Sequence, residues 1–270
     1  DIPKKAIETN KENSYLFLFE SEVIKPNSWC LKKHKKFKKI FTWNDELVDN
    51  KKYFKMNFSH KFPDNRKDYK GNLKNFDEKK LCTLIAGNKK VDHKLELYSE
   101  RVKTIRWFEK NTKKGEFEFY GMGWDKHTSS NRHIRNLLYK ILAPRYPSYK
   151  GIVESKNVTL SHYKFAICYE NAQLIPGYIT EKIFDCFFAG CVPIYWGAPN
   201  ATQHIPVDCF IDRRNFKSHK ELYEYLTNMS KKEYLAIQLN IEMYLFSKKA
   251  NAYRAESFAK MIVEHILNDQ

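Results

Sequence analysis

Residues 163–171 read YKFAICYEN, residues 177–183 read GYITEKI and residues 189–197 read AGCVPIYWG. Phe165, Ala166, Ile167, Cys168 and Tyr169 follow one another without a polar break, the pattern of a short strand buried on both faces. That strand runs into Glu170 and Asn171. A loop with Pro176 and Gly177 comes next. Thr180 is then placed as the N-cap of a helix, with Glu181 and Lys182 in its first turn. Ile183, Phe184, Phe187 and Phe188 make one apolar stripe along it. Gly190 ends the helix, Val192, Ile194 and Tyr195 form the next strand, and Gly197, Ala198, Pro199 and Asn200 turn out of it. A strand–loop–helix–strand unit of this kind builds a parallel sheet with helices on its faces. Ligands of such sheets sit at the C-terminal ends of the strands.

Working upstream, Cys82 to Ala86 make another strand candidate, and Asp92 is placed to cap a helix carrying Leu95, Tyr98, Val102 and Ile105. Phe117, Phe119 and Tyr120 return as a strand that ends in Gly121 and Gly123, a spacing found beside phosphates and also in plain tight turns. Residues 15–19 read YLFLF and predict a strand, with Glu20 and Glu22 just past its end. Residues 40–43 predict a second strand. Residues 59–80, with Pro63 and Gly71, read as a linker or long excursion. Downstream, helices are expected at roughly 218–228, 231–247 and 251–267. On the last, Ala255, Phe258, Ala259, Ile262, Val263 and Ile266 share one packing face.

The chain has 270 residues, 42% of them hydrophobic and 15% aromatic, enough for a real core and against a disordered polymer. Lys and Arg number 48 against 32 Asp and Glu, a formal charge of +16. Lys pairs crowd the first third, so this basic region is either a solvated surface or a patch for an anionic acceptor or a membrane surface. None of the six Cys forms a CxxC pair, which argues against a zinc knuckle. Cys168, Cys186 and Cys191 read as buried thiols, and a reducing compartment is the simplest setting. No apolar run is long enough for an integral membrane span. The expected location is therefore the cytoplasm or the cytoplasmic membrane face. The opening at Asp1, Ile2 and Pro3 leads us to expect a removed upstream segment.

The helix start after Thr180 is an anion site by its free backbone donors and dipole. Lys182 adds a mobile positive charge suited to a diphosphate. Glu181 beside it repels phosphate and suits a hydroxylated group such as a sugar. The competing reading is a helix start where Glu181 only complements the dipole and Lys182 is solvated. Asn171 can donate to phosphate or close its own turn, and Glu170 reads as a structural carboxylate tied to backbone donors. Arg101 reaches a phosphate with its planar fork or lies on the surface. Glu20 is placed to act as a general base on an attacking hydroxyl, with Glu22 as its rival. No metal-binding carboxylate pair stands out near the donor region, and Asp45 and Glu46 lie in a polar turn elsewhere.

These strings, in this order and spacing, closely resemble the α-1,3-fucosyltransferase family. About forty residues carry the likeness strongly, and the segment from 82 to 124 matches loosely. The resemblance implies a GT-B-like α/β fold of two facing Rossmann-like domains, with the donor GDP-fucose held by the C-terminal half. It implies an inverting transfer of fucose to a glycan hydroxyl, α-1,3 to N-acetylglucosamine, with no cofactor or metal required. Asn171, Lys182 and Arg101 would contact the nucleotide diphosphate, Tyr178 would line the donor pocket, Glu181 would hold the fucose hydroxyls, and Glu20 would stand where the family keeps its base. Only nineteen residues precede Glu20, so an abbreviated N-terminal acceptor-side domain over 1–80 is expected, then a donor domain over 81–250 and a closing helix over 251–270. Two further readings stay open. One is a transferase of another nucleotide sugar onto nucleic acid or a lipid-linked glycan, distinguished by strong salt dependence. The other is a non-catalytic glycan- or nucleotide-binding protein.

Overall fold

A computed structural model describes residues 2, 14–71, 73–125 and 146–267. Asp1 and Pro3, and the last three residues of the closing segment, lie outside the described residues. Two parallel sheets organise the chain. The first contains β1 (Tyr15–Leu18), β2 (Lys39–Thr42) and β3 (Tyr53–Lys55), in that spatial order. A short helix, α1 (Leu31–His34), lies between β1 and β2. The second sheet comprises β4 (Lys80–Ile85), β5 (Phe117–Tyr120), β6 (Tyr163–Tyr169), β7 (Val192–Trp196) and β8 (Ile211–Asp212), ordered β5-β4-β6-β7-β8. Among the described residues, the remaining α-helices are α2 (Arg66–Gly71) just ahead of the second sheet, α3 (Tyr98–Asn111), α4 (Lys156–Ser161), α5 (Glu181–Phe188), α6 (Ala201–His204), α7 (His219–Asn228) and α8 (Lys231–Leu245) along it, and α9 (Ala255–Ile266), which returns to the first sheet.

The apolar strings become the central strands, as two-faced burial requires. Every residue of β6 except Lys164 is buried, and so is every residue of β7 except Trp196. After β4 the chain steps outward to β5, then crosses back to lay β6 on the other side of β4. The direction of winding therefore reverses between β4 and β6. That reversal opens a crevice beyond their carboxyl ends, where an α/β sheet binds ligands.

Several local expectations change. The helix expected from Asp92 starts only at Tyr98. The backbone of 95–97 instead bonds to the loop after β6, with Leu97 N donating to Asn171 O at 3.1 Å and Gln173 N to Leu95 O at 2.8 Å. The excursion at 59–80 holds α2 and buries Phe62 and Tyr69. Strand β3 is a third member of the N-terminal sheet that the sequence reading passed over, although a three-residue strand carries little periodic signal. Gly121 is explained by packing: at φ +139 it lies so close to β4 that a Cβ would stand 1.9 Å from Ala86 O.

Helix α9 closes the N-terminal sheet. Phe258 packs 6.3 Å from Phe17, His265 packs 4.4 Å from Phe54, and Lys39 Nζ donates to His265 O. A single apolar cluster joins Phe41, Trp43 and Phe54 from the N-terminal sheet to Ala172, Ile175 and Tyr178 from the loop after β6. The two sheets thus share a packed seam beside the crevice. Among the described residues, no helix is long and apolar enough to cross a membrane.

Candidate active site

The crevice is built around Glu170, which is wholly buried one residue past β6. Its Oε1 accepts from Thr180 N at 2.8 Å, and its Oε2 accepts from the Thr180 hydroxyl at 2.7 Å and from Lys182 Nζ at 3.1 Å. Thr180 is the N-cap by position, but its hydroxyl does not cap the helix. It donates to Glu170 and accepts from Lys182 at 2.8 Å. Lys182 is therefore held over the end of the sheet by two acceptors, where the sequence alone suggested an unanchored charge. Burial pushes its ammonium down, but Glu170 and Glu181 more than offset this, so its pKa is held above the ordinary lysine value.

Arg101 comes from the inner face of α3, where Tyr98, Thr104, Ile105 and Phe108 are also buried. It is only 4% exposed, so the surface alternative is removed. Its Nη2 donates to Tyr169 O at 2.6 Å and to Asn171 Oδ1 at 3.0 Å. Two cations and the Asn171 amide therefore converge at the carboxyl end of β6. Arg101 and Lys182 line one cleft with Ile85 and Ala86 from the end of β4, and with Lys156 and Asp185. These last two form a pair at 2.9 Å that the sequence reading did not single out.

Glu181 Oε1 lies 3.7 Å from Lys182 Nζ and 3.9 Å from Lys156 Nζ, with its side chain 42% exposed. Burial raises its carboxyl pKa, but Lys182, its own backbone amide, Lys156 and Thr180 together hold it below the usual value. His60 from the N-terminal half lies in reach of its charge and stacks on Phe184 at 4.7 Å.

Tyr178 is 1% exposed and packs on Trp43 at 4.5 Å, so its ring belongs to the seam between the sheets. Burial raises its phenol well above the ordinary value, and the charges of Glu170 and Glu20 add to the rise. Tyr98 also feels Glu20. The Glu20 carboxylate thus lies within electrostatic reach of Tyr98 and Tyr178, and Tyr98 itself packs under the Arg101 guanidinium at 4.9 Å. Glu22 is exposed in a different hollow, with Trp29, Leu31, Glu46 and Leu174. Two tryptophans fix the loop that carries Glu20: Trp43 Nε1 donates to Phe19 O at 2.8 Å, and Trp29 Nε1 to Glu20 O at 2.9 Å. Neither indole was flagged from sequence, because a Trp beside a strand ordinarily signals only core. Cys168, Cys186 and Cys191 are buried free thiols, as expected.

The fold is that of the GT-B glycosyltransferases. Solved structures with the same architecture include an α1,3-fucosyltransferase with GDP (TM-score 0.58, 18% identity, covering 97% of this chain and 76% of that one). The same enzyme type with GDP-fucose superposes with a TM-score of 0.56 at 19% identity, covering 94% and 76%. A model for the C-terminal part of glycosyltransferase family 10 (fucosyltransferase) matches residues 99–239, and the chain belongs to that family. The α-(1,3)-fucosyltransferase FucT of Helicobacter pylori is 33% identical over 146 residues, covering 50% of this chain and 30% of the relative. The α-(1,4)-fucosyltransferase of Arabidopsis thaliana is 40% identical over 70 residues, covering 26% and 17%. The chain therefore spans less than a third of the length of these two relatives.

Proposed function

We propose that this chain transfers fucose from GDP-fucose to a glycan hydroxyl with inversion at the anomeric carbon. The observation that carries the reading is the convergence of Arg101, Asn171 and Lys182 at the end of β6, with Glu20 of the N-terminal sheet within electrostatic reach of Tyr98 and Tyr178. Family membership and the structural likeness to an α1,3-fucosyltransferase with GDP-fucose support it. In this reading the C-terminal sheet binds the donor and the N-terminal sheet with Glu20 serves the acceptor.

The chemistry needs two things. A base takes the proton of the acceptor hydroxyl as its oxygen attacks the anomeric carbon, and positive groups stabilise the departing diphosphate. Glu20 is the base, exposed and carried on a loop held by two indoles. Arg101, Lys182 and the amino end of α5 take the leaving group, and Asn171 orients it. Glu181 accepts hydrogen bonds from the fucose hydroxyls. Tyr178 supports the pocket wall from the seam. The acceptor is a glycan, read here as N-acetylglucosamine fucosylated in α-1,3 linkage.

Transfer of labelled fucose from GDP-fucose to N-acetyllactosamine tests this, with GDP binding followed by calorimetry. Glu20→Ala is expected to abolish transfer while GDP binds within about twofold of wild type. Retained turnover moves the base role to Glu22 or elsewhere. Equal thermal stabilisation of the folded chain by GDP-fucose and UDP-glucose overturns the donor assignment.

A further inference from the structure

The carboxylate of Asp45, three residues past β2, takes part in no chemistry described above, yet it collects donors from both halves of the cleft. Its Oδ2 accepts from Asn200 Nδ2 and from His204 Nε2, each at 2.8 Å, and both partners follow β7 in the C-terminal sheet. Its Oδ1 accepts from Lys55 Nζ at 2.5 Å, at the end of β3 in the N-terminal sheet. Burial works against the charged carboxylate, but His204, Lys55 and Asn200 hold its pKa far below the ordinary aspartate value.

Two of these partners, Asn200 and Lys55, lead onward to site residues. Asn200 Oδ1 accepts from Gly177 N at 2.9 Å, and Asp45 N donates to Pro176 O at 3.3 Å, so the loop leading into Tyr178 is tied at two points. Gly177 has φ +79, and a Cβ there would stand 2.2 Å from Trp43 O and 2.8 Å from Asp45 Oδ2. The two backbones have closed to a distance that only glycine permits. On the other side, Lys55 Nζ donates to Trp43 O at 2.7 Å. Trp43 carries Phe19 O on its indole and packs at a tilt on Tyr178 at 4.5 Å and on Trp29 at 5.2 Å. Trp29 holds the carbonyl of Glu20 itself.

We infer that Asp45 is a positioning residue that sets the Glu20 loop and the Tyr178 loop in one register, and so fixes the distance between the base and the donor. The inference rests on the transferase reading for its consequence, but the coupling is physical and is measured separately. A carboxylate with three donors from two elements holds one geometry, because each partner fixes the orientation the others require. Misplacement of a reacting group by about 1 Å costs on the order of 100-fold in rate.

The test uses the full chain and the variants Asp45→Ala, Asp45→Asn and His204→Ala. Hydrogen exchange of the 172–178 segment reads the latch without any substrate. Asp45→Ala is expected to raise exchange at Gly177 and Tyr178 at least about tenfold while β6 stays protected. In transfer assays kcat is expected to fall about 10- to 100-fold, with GDP affinity unchanged. Asp45→Asn retains an acceptor oxygen and should recover part of that loss, and His204→Ala should reproduce a smaller one. Unchanged exchange in Asp45→Ala overturns the inference. So does a parallel loss of GDP affinity and kcat, the mark of general disruption. A wild-type chain that transfers no fucose overturns the transferase reading instead, and the exchange result still decides the coupling.

Discussion

Glu170 Oε2 lies 3.1 Å from Lys182 Nζ, and the same carboxylate binds both the backbone N–H and the hydroxyl of Thr180. A wholly buried anion thus sets the position of a cation that faces the cleft. Glu170→Gln is expected to weaken GDP binding at least tenfold, because Lys182 and the start of α5 lose their common anchor. It should also destabilise the fold by about 2 kcal/mol. This is below the roughly 3–5 kcal/mol of a fully buried broken pair, since the Lys182 side chain keeps 23% exposure. Calorimetry and urea unfolding check both effects, and wild-type GDP affinity in the variant would remove Glu170 from the site.

Arg101 joins α3 to the end of β6 through one nitrogen that donates to Tyr169 O and Asn171 Oδ1. Lysine supplies a charge but no planar fork. Arg101→Lys is therefore expected to behave almost like Arg101→Ala, each weakening GDP by about 10- to 100-fold, roughly the worth of one or two charge-assisted hydrogen bonds. Full rescue by lysine would reduce its role to charge alone.

Trp43 tests the seam between the two sheets. Trp43→Phe keeps most of the packing on Tyr178 and removes the hydrogen bond to Phe19 O. The expected result is a kcat reduced several-fold or more with little change in GDP affinity. Equal losses in both would mean that Trp43 serves only the core.

Gly177→Ala introduces a side chain at positive φ and against Trp43 O. Strain of this kind costs about 1–3 kcal/mol. The variant is expected to melt earlier than wild type and to expose the 172–178 segment to hydrogen exchange. An unchanged melting temperature would show that the loop can move away from Trp43 at no cost.

Acid stability follows from two histidines. Burial holds His60 at about 4, with Glu181 pulling weakly the other way, and burial followed by Arg213 holds His219 at about 4. Both folded values lie below the unfolded value of about 6.5, so protons bind the unfolded chain more strongly. Their contribution is complete above about pH 6.5 and is lost as the pH falls through about 4. Urea unfolding between pH 7 and pH 4 should show this decline, and His60→Phe, which keeps a ring on Phe184, should make it shallower. An identical decline in the variant would assign the acid sensitivity to other groups.

The strings at 163–171, 177–183 and 189–197 were legible because burial on both faces demands unbroken apolar strands, and because a parallel sheet needs a helix between them. The same strings carried the family likeness and named Asn171, Glu181 and Lys182. Sequence did not show that Lys182 is anchored: Glu170 and Thr180 meet it only when the loop after β6 folds back over ten residues. It left Arg101 between surface and site, since an arginine on an amphipathic helix looks alike in both. It placed Asp45 in an indifferent polar turn, because its partners Asn200 and His204 lie more than 150 residues away. It could not separate Glu20 from Glu22, two residues apart beyond a strand. Local pattern thus determined the strands and the α5 stripe, while the family likeness nominated the donor-side residues. The tertiary structure decided which partners Glu170 and Asp45 hold and how the two sheets are joined, because those properties depend on contacts between segments that no local period records.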